Sequence, residues 1–293
     1  MIITSIIRKA INFICSCIPY GTKVYPRVVT LAPNELLKGR IALITGGTGG
    51  IGYEIAKAFI NAGATVVITG RKLEKVQNAC KSIEQEVGKK GCILGIELDN
   101  TKVCEFKSKF AEVQSLLDGK QLDILVNNAG VLGCHISDGQ ECEYDTVLDT
   151  NLKGVFFLSQ MVGHYMKDNK IEGNILNIAS SSSLRPAASA YTLSKWGIRG
   201  LTLGLAKTLA PYGITVNGLA PGQTATQMIV GKNHDGNMYA PTVPLKRMAL
   251  PEEIANMAVI LVSDMSRTIM GDIVYMTGGA GVFSNEDMDY SFN

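Results

Sequence analysis

Tyr191 and Lys195 are the pair of residues whose types and spacing most directly suggest chemistry. Because they are four positions apart, a helix would place both side chains on one face, about one turn from each other. A free phenol has a pKa of about 10, and a neighbouring ammonium group lowers that pKa because it stabilises the phenolate. Such a phenol can donate a proton to a carbonyl oxygen or accept one from an alcohol. Ser180, eleven positions before Tyr191, could donate a hydrogen bond to the same oxygen.

A glycine-rich turn near the N-terminal end of the chain lies between two elements that must position it. An apolar stretch over residues 41–45 is typical of a buried parallel strand, and residues 53–60 have helical spacing of apolar side chains. Between them runs Thr45-Gly-Gly-Thr-Gly-Gly-Ile-Gly52. Glycines let the backbone turn tightly and approach a pyrophosphate, and the helix N-terminus offers unpaired N–H groups to that anion. The turn therefore predicts a dinucleotide-binding site.

The Tyr-Lys spacing alone also fits any amphipathic helix, but further motifs follow these two in a fixed order. They are Asn127-Asn-Ala-Gly130, Asn151, and Pro221-Gly222 after an apolar stretch over residues 214–220. Together these motifs resemble those of the short-chain dehydrogenase/reductase family, over roughly residues 37–282. The resemblance is strongest to 3-oxoacyl-carrier-protein reductases. It implies an oxidoreductase that interconverts a carbonyl and a secondary alcohol by hydride transfer.

The resemblance assigns four catalytic residues. It implies that Tyr191 is the general acid and base, and that Lys195 lowers the pKa of Tyr191 and holds the nicotinamide ribose. Ser180 would polarise the carbonyl, and Asn151 would hold a water that connects Lys195 to solvent. The resemblance also implies contacts between a nicotinamide cofactor and Gly46, Thr48, Gly50, Ile51, Gly52, Arg71, Asp99, Asn128, Gly130, Tyr191, Lys195, Pro221, Gly222 and Thr224.

Ser180 belongs to a run of four serines, Ser180 to Ser183. We choose Ser180 because it directly follows a strand-like segment over residues 174–179, where the family places its serine, and Ser181 remains the alternative. Ser183 stands where family members commonly have glycine, which predicts a changed wall of the substrate pocket.

The end of the second predicted strand favours NADP over NAD as the cofactor. In dinucleotide-binding folds an acidic residue at this point holds the ribose 2′-hydroxyl of NAD. Here Gly70, Arg71 and Lys72 follow the strand instead, and a guanidinium can pair with a 2′-phosphate. The alternative is that both cations are simply solvated. Gly49 departs from the pattern, because NADP-preferring relatives often carry a basic residue at that position.

The composition excludes several other classes of protein. Of the 293 residues, 46% are hydrophobic and 18% are charged, and the net charge is only +2. This profile indicates a globular chain without the basic surface that nucleic-acid binding requires. The three histidines are far apart and suggest no metal site. The seven scattered cysteines contain no Cys-x-x-Cys and favour reduced cytoplasmic thiols over a disulfide framework.

Apolar strands alternate with helical patterns along most of the chain. The strands are predicted at residues 41–45, 64–69, 92–97, 124–127, 173–179, 214–220 and 272–276. The helices are predicted at residues 50–62, 73–88, 102–117, 144–168, 188–212 and 251–263. This alternation predicts an α/β fold, a single doubly wound Rossmann-type domain over residues 37–293, with a parallel sheet of about seven strands and helices on both faces.

Residues 1–36 precede this domain as an extension. Within it, residues 1–18 have the spacing of an amphipathic helix that ends at Pro19. The helix could contact a membrane surface or pack on its own domain or on a sister subunit, and we favour packing. It is too short and too polar to span a bilayer.

The substrate is the least determined part of the prediction. Residues 223–244 are expected to cover it, with Met228, Ile229, Val230, Met238 and Tyr239 as apolar candidates. Lys232, Lys246 and Arg247 could meet an anionic carrier group, although solvated charges are the simpler interpretation. A 3-oxoacyl thioester is the first choice of substrate, and a steroid-like ketone, a sugar and a small alcohol remain alternatives. The alternative function is a non-catalytic NADP(H)-binding sensor or scaffold. The resemblance further implies a homodimer or homotetramer.

Overall fold

Seven parallel strands form one sheet at the centre of the protein. The computed structural model describes residues 23–25, 34–231 and 236–282. The strands are β1 (Ile41–Ile44), β2 (Thr65–Gly70), β3 (Ile93–Glu97), β4 (Ile124–Asn127), β5 (Asn174–Ile178), β6 (Thr215–Pro221) and β7 (Ile273–Met276). Their order across the sheet is β3-β2-β1-β4-β5-β6-β7, and every neighbouring pair is parallel. From β1 the chain adds strands β2 and β3 on one side, and it then returns to add β4 to β7 on the other side. Open α/β sheets bind ligands at this switch point, between β1 and β4.

Helices cover both faces of the sheet, as the sequence predicted. The α-helices are α1 (Gly50–Asn61), α2 (Leu73–Val87), α3 (Phe106–Leu116), α4 (Glu141–Leu148), α5 (Gly154–Asp168), α6 (Ala190–Leu209), α7 (Gln227–Val230) and α8 (Pro251–Val262). One buried cluster joins α1, α2 and α8 to the sheet, and a second joins α3, α5 and α6 to the other face. The doubly wound α/β fold is therefore confirmed.

Strand β1 shows why apolar runs predicted the sheet correctly. Its residues alternate between the two clusters: Ala42 and Ile44 belong to the first, and Ile41 and Leu43 to the second. A strand that is buried on both faces needs an apolar side chain at every position, so it is a continuous apolar run. The ends of the predicted strands differ from the observed ones by at most one residue.

The helix predicted over residues 144–168 is present from Glu141 to Asp168, but it is not a regular α-helix throughout. The segment instead consists of α4, a single π-helical turn over Asp149–Lys153, and α5. A π-turn contains one extra residue per turn and often occurs at functional sites. The first residue of α5, Gly154, has no room for a side chain, because a Cβ at this position would lie 2.3 Å from the carbonyl oxygen of Asn100. The π-turn brings Asn151, one of the predicted catalytic residues, into the interior.

Residues 223–248 have more structure than their sequence pattern indicated. Tyr239 and Arg247 pair as an antiparallel bridge, and Thr224 pairs in parallel with Ala249. A small apolar cluster beneath this segment contains Ala240, Val243, Ala280 and Met248.

The predicted amphipathic helix over residues 1–18 lies outside the described residues. Among the residues that are described, no helix has the length and apolar character needed to cross a bilayer.

Candidate active site

A cleft with a volume of about 410 Å³ opens at the carboxyl ends of the strands. Every residue that was predicted to bind the cofactor lines this cleft except Gly52. Ser180 lines it as well, whereas Asn151 does not. The structure therefore brings residues from the glycine turn, the second strand, α6 and the Pro-Gly turn to one place, although they are spread over much of the chain.

The glycine turn needs glycine at Gly46 for two reasons. Its φ is +67°, and a Cβ there would lie 2.9 Å from Cα of Ala129. Thr45 holds the two loops together, because its Oγ1 accepts hydrogen bonds from the backbone N–H groups of Asn128 and Ala129 at 3.0 and 3.1 Å. The loops after β1 and β4 thus form one unit beside the N-terminus of α1.

Gly52 supports the turn from beneath. A Cβ at Gly52 would lie 2.4 Å from Nδ2 of Asn128 and 2.6 Å from the carbonyl oxygen of Gly46. That Nδ2 donates hydrogen bonds to the carbonyl oxygens of Thr45 and Gly46 at 3.0 and 3.1 Å. Gly52, which was predicted to contact the cofactor, does not line the cleft, and in this structure it allows the helix start to pack closely against Asn128.

Arg71 lines the cleft at its exposed rim. The side chain of Arg71 is exposed, and it makes no ion pair with any described residue. Gly70 is needed next to it, because a Cβ there would lie 2.8 Å from Cγ2 of Thr48. Gly49 has open space around its Cβ position, so nothing in the described structure would prevent a side chain there.

The lining of the cleft suits a dinucleotide. Asn100 lines the cleft and is 4% exposed. Its side-chain Nδ2 is buried and has no hydrogen-bond partner in the described structure. Buried polar groups are normally paired, so an unpaired amide at a cleft indicates a bound group with an acceptor. Asp99 also lines the cleft and accepts hydrogen bonds from the N–H and Oγ1 of Thr101. With the glycine turn, these residues would hold the adenosine and pyrophosphate parts of NAD(P).

Tyr191 and Lys195 lie on the same side of α6 and face the cleft. The helix begins after Ser189, whose Oγ accepts a hydrogen bond from the N–H of Thr192 at 3.1 Å. Lys195 is 5% exposed, and its Nζ donates a hydrogen bond of 2.8 Å to the carbonyl oxygen of Ile178. The same Nζ lies 5.6 Å from the ring centroid of Tyr191.

The electrostatics differ from the sequence-based expectation in one respect. Burial raises the pKa of Tyr191, although its hydrogen bond with the side chain of Ser180 acts in the opposite direction. Burial lowers the pKa of Lys195 to about 8. The expected lowering of the Tyr191 pKa by Lys195 is thus not found in this structure, because loss of solvent outweighs the other influences on the phenol.

The serine run contains one residue that faces the cleft. Ser180 lines the cleft and interacts with Tyr191 through a side-chain hydrogen bond. Ser181 is buried and does not line the cleft. The Oγ of Ser180 also accepts from the N–H of Ser182 at 3.1 Å and so begins the 3-10 turn Ser181–Leu184. Ser183 is fully buried and donates to the carbonyl oxygen of Ser180 at 2.8 Å. Ser183, which was predicted to change the wall of the substrate pocket, does not itself line the cleft.

Asn151 holds the backbone of the cleft. Its Oδ1 accepts from the N–H of Val131 at 2.8 Å, and its Nδ2 donates to the carbonyl oxygen of Val131 at 2.9 Å. The same Nδ2 donates to Oγ of Ser194 at 3.2 Å. Val131 lines the cleft, so Asn151 links the loop after β4 to α6.

The cationic residues of the substrate segment are engaged elsewhere. Arg247 forms two hydrogen bonds of 2.9 and 2.7 Å with the carboxylate of Glu253, and this partner raises its pKa. The Nζ of Lys246 donates to the carbonyl oxygen of Pro241 at 3.0 Å. Neither residue lines the cleft.

Among the apolar candidates, Ile229 lines the cleft and is 49% exposed, whereas Met238 and Tyr239 do not line it. Lys232 lies outside the described residues, as do the side chains of Met228 and Val230.

Some lining residues were not predicted, namely Leu98, Asn100, Ala129, Val131, Leu132, Thr150, Ile178, Ala179, Thr226 and Gln227. Their positions after strands could have suggested them, but the backbone carbonyl that Ile178 offers to Lys195 carries no sequence signal. The described residues contain no cluster of His, Cys, Asp or Glu that could hold a metal ion, and their five cysteines are free.

Comparisons with known proteins agree with this architecture. The 3-oxoacyl-[acyl-carrier-protein] reductase of Aquifex aeolicus (strain VF5) is 34% identical over 83% of this chain and 98% of its own length. The crystal structure of 3-ketoacyl-(acyl-carrier-protein) reductase from Brucella melitensis, complexed with NADH, matches with a TM-score of 0.73 and 28% identity over 84% of this chain and 99% of that one. A variant of actinorhodin polyketide ketoreductase with NADPH matches with a TM-score of 0.76 and 30% identity, over 83% and 98%.

A family model described as short chain dehydrogenase matches residues 40–237. This match includes the glycine turn, Ser180, Tyr191 and Lys195. It agrees with the relatives, which align over more than four fifths of this chain. The chain therefore belongs to the short-chain dehydrogenase family of NAD(P)-dependent oxidoreductases that act on CH–OH and carbonyl groups.

Proposed function

We propose that this enzyme is an NADP-dependent reductase that interconverts a ketone and a secondary alcohol, with Tyr191 as the general acid and base. One observation carries the proposal: Tyr191 and Ser180 line the same cleft as the glycine turn, and the Ser180 side chain acts to lower the pKa of Tyr191. A proton donor and a dinucleotide cradle in one cleft are the two parts that carbonyl reduction requires.

The roles of the side chains follow from their positions. NADPH, when bound, supplies a hydride to the carbonyl carbon. Tyr191 then donates its hydroxyl proton to the carbonyl oxygen, which yields the alcohol, and Ser180 donates a hydrogen bond to that oxygen. Lys195 supplies a buried positive charge that offsets part of the cost of forming the phenolate. In the reverse direction the phenolate accepts the alcohol proton.

Arg71 supports NADP as the preferred cofactor. It is exposed at the rim of the cleft, has no ion pair within the described residues, and follows a strand that ends without a carboxylate. A guanidinium in this position can form charge-assisted hydrogen bonds with a 2′-phosphate. Because one of the matched structures holds NADH and another NADPH, the residues at this rim are the better guide to cofactor preference.

A 3-oxoacyl thioester is the substrate class we propose. It is supported by the names of the relatives, two of which reduce 3-oxoacyl groups on a carrier protein. It is also supported by Leu132 and Ile229, which give the cleft apolar side chains for an acyl chain. The basic residues Lys246 and Arg247 do not support it, because both are engaged in bonds within the protein.

Oxidation of NADPH by a panel of carbonyl compounds tests this function. Acetoacetyl-coenzyme A, a ketosteroid, a keto sugar acid and a simple ketone are each incubated with the enzyme and NADPH, and the loss of NADPH absorbance is followed. The proposal expects fastest oxidation with acetoacetyl-coenzyme A and slower oxidation with NADH. Tight NADPH binding without oxidation by any compound would instead favour the cofactor-binding sensor.

We also propose that the enzyme forms a homo-oligomer. Large apolar side chains are exposed on α5 and α6, including Phe156, Phe157 and Leu203, which is 62% exposed. Adjacent exposed apolar residues commonly mark subunit interfaces. Light scattering after size-exclusion chromatography should give a mass of a dimer or tetramer, and a mass of 31.4 kDa would contradict the proposal.

A further inference from the structure

A short piece of the N-terminal extension pairs with the segment that follows the cofactor cleft. The N–H of Val24 donates to Oδ1 of Asn237 at 3.0 Å, and the carbonyl oxygen of Val24 accepts from the N–H of Met238 at 2.9 Å. Val24 is half-buried, and Lys23 and Tyr25 on either side of it are exposed. Val24 therefore attaches this piece through its backbone N–H and carbonyl groups, as an added edge strand would be attached.

The hydrogen bonds continue from Val24 toward the cleft. Met238, which donates to Val24, accepts at its own carbonyl oxygen from the N–H of Met248 at 2.8 Å. The next residue, Ala249, donates to the carbonyl oxygen of Gln223 at 2.8 Å and accepts from the N–H of Ala225 at 2.9 Å. This backbone ladder thus reaches the segment that contains Thr224.

The end of the ladder forms one wall of the cleft. Thr224, Thr226, Gln227 and Ile229 all line it. The N–H of Ile229 donates to the carbonyl oxygen of Thr226 at 2.9 Å, so this wall is one short helical turn. A displacement of the ladder would therefore be transmitted to the wall.

The middle of the ladder is fixed to the body of the protein. The two hydrogen bonds between Arg247 and Glu253 attach it to the first turn of α8. The carboxylate of Glu253 also accepts from the N–H of Leu250 at 2.8 Å. On the outer side, beyond Met238, the described residues that pair with the ladder are those of the extension. Asn237 is central there, because its Oδ1 accepts from both Val24 and Tyr239.

We propose that residues 23–25 are a strap that positions the substrate-side wall of the cleft, with Val24 as a positioning residue. Residues 23–25 then help to determine substrate specificity, and they act through Val24, whose N–H donates to the side chain of Asn237 and whose carbonyl oxygen accepts from the N–H of Met238. The strap goes beyond the proposed function, and its kinetic consequence rests on that function.

Val24→Pro tests the strap, with Val24→Ala as the matched control. Proline lacks the N–H that donates to Asn237, whereas alanine keeps it and removes only part of the side chain. Hydrogen–deuterium exchange of the full-length proteins is measured by mass spectrometry on peptides from residues 236–249 and 225–231. In Val24→Pro we expect exchange about tenfold faster in both peptides, since each amide loses support from the ladder. Val24→Ala should exchange like the original protein.

A second pair of variants covers the case in which Val24→Pro does not fold. Asn237→Ala removes the acceptor for Val24 and Tyr239, and Asn237→Asp keeps an oxygen at that position. The proposal expects Asn237→Ala to exchange like Val24→Pro, and Asn237→Asp to restore protection. Faster exchange in residues 236–249 without any change in residues 225–231 would overturn the proposal, because the strap would then not reach the cleft.

Kinetics with acetoacetyl-coenzyme A separate positioning from general destabilisation. For Val24→Pro we expect the KM for this substrate to rise about fivefold, while the Kd for NADPH, measured by fluorescence titration, changes less than twofold. Equal losses of substrate and cofactor affinity would contradict the proposal. If the unaltered enzyme binds NADPH but does not reduce this substrate, the proposed substrate is wrong, and the exchange data alone decide whether the strap exists.

Discussion

The Nζ of Lys195 lies 5.6 Å from the ring centroid of Tyr191 and is held there by the carbonyl oxygen of Ile178, at 2.8 Å. The cation is thus within the distance at which an aromatic ring attracts it. Because Ile178 is the last residue of β5, the position of the charge depends on the sheet as well as on the helix that carries both side chains. The cation and the phenol are therefore fixed relative to each other before any ligand binds.

The buried charge of Lys195 should make stability depend on pH. Burial lowers its pKa from 10.5 to about 8, so between these values the unfolded chain binds more protons than the folded one. The contribution of Lys195 to the free energy of unfolding must therefore increase by about 3 kcal/mol as pH rises from about 8 to 10.5. Below pH 8 the lysine is charged in both states, and the folded protein carries the full cost of burying the ammonium.

Comparison with Lys195→Met tests this pH dependence in the enzyme without cofactor. The free energy of unfolding in urea is determined for the original protein and the variant at pH 7 and pH 10.5. Relative to the variant, the original protein should gain about 3 kcal/mol in its free energy of unfolding between pH 7 and pH 10.5. Other titrating groups are common to both proteins and cancel. A difference that stays constant with pH would show that Lys195 keeps an ordinary pKa.

Ser180→Ala and Ser181→Ala should have very different effects on turnover. Ser180 lines the cleft and interacts with Tyr191 through a side-chain hydrogen bond. Removal of its hydroxyl should therefore lower kcat/KM about 10- to 100-fold. Ser181 is buried away from the cleft, and its replacement should change kcat/KM less than about threefold. Steady-state kinetics of both variants, with thermal unfolding to check their folding, make the comparison. A larger loss with Ser181→Ala would transfer the role to Ser181.

Arg71→Ala should weaken the binding of NADPH and leave that of NADH almost unchanged. The loss of one charge-assisted contact with the 2′-phosphate predicts a Kd for NADPH about tenfold higher. Fluorescence titration with both cofactors measures this difference. Lys72→Ala is the matched control, because Lys72 is also exposed but does not line the cleft. Equal losses for NADPH and NADH would remove Arg71 as the determinant of cofactor preference.

Asn151→Ala should destabilise the protein as well as reduce its activity. The variant leaves the N–H and carbonyl oxygen of Val131 without their partner, and it removes the hydrogen bond to Ser194. We expect the free energy of unfolding to fall by about 2–3 kcal/mol in urea denaturation. Asn169→Ala, at the exposed end of α5, is the control and should cost less than about 1 kcal/mol. Equal effects of the two changes would show that Asn151 does not hold the loop.

Much of the fold could be predicted because parallel strands are buried on both faces. Continuous apolar runs such as Ile41–Ile44 are typical of such strands once helical patterns separate them. The glycine turn was equally clear, since Gly46 has a positive φ and no room for a Cβ. The Tyr191 and Lys195 side chains share a face because helical spacing alone requires it.

Other features depend on tertiary contacts that no local pattern encodes. The π-turn at Asn151 shifts the hydrogen bonding by one residue while the apolar spacing hardly changes. The partner of Lys195 is a backbone carbonyl, which every residue has. The direction of the Tyr191 pKa shift depends on how far the folded chain excludes water from it. Val24 pairs with a residue 213 positions away, beyond any sequence periodicity.

The turnover of Tyr191→Phe tests the central claim most directly. Phenylalanine keeps the ring and removes only the hydroxyl, so NADPH binding should change less than about twofold while kcat falls about 10²- to 10⁴-fold. Tyr275→Phe is the control, because that hydroxyl lies 3.4 Å from Oγ of Ser183 and outside the cleft. Reduction of acetoacetyl-coenzyme A by Tyr191→Phe at the rate of the original enzyme would contradict the account.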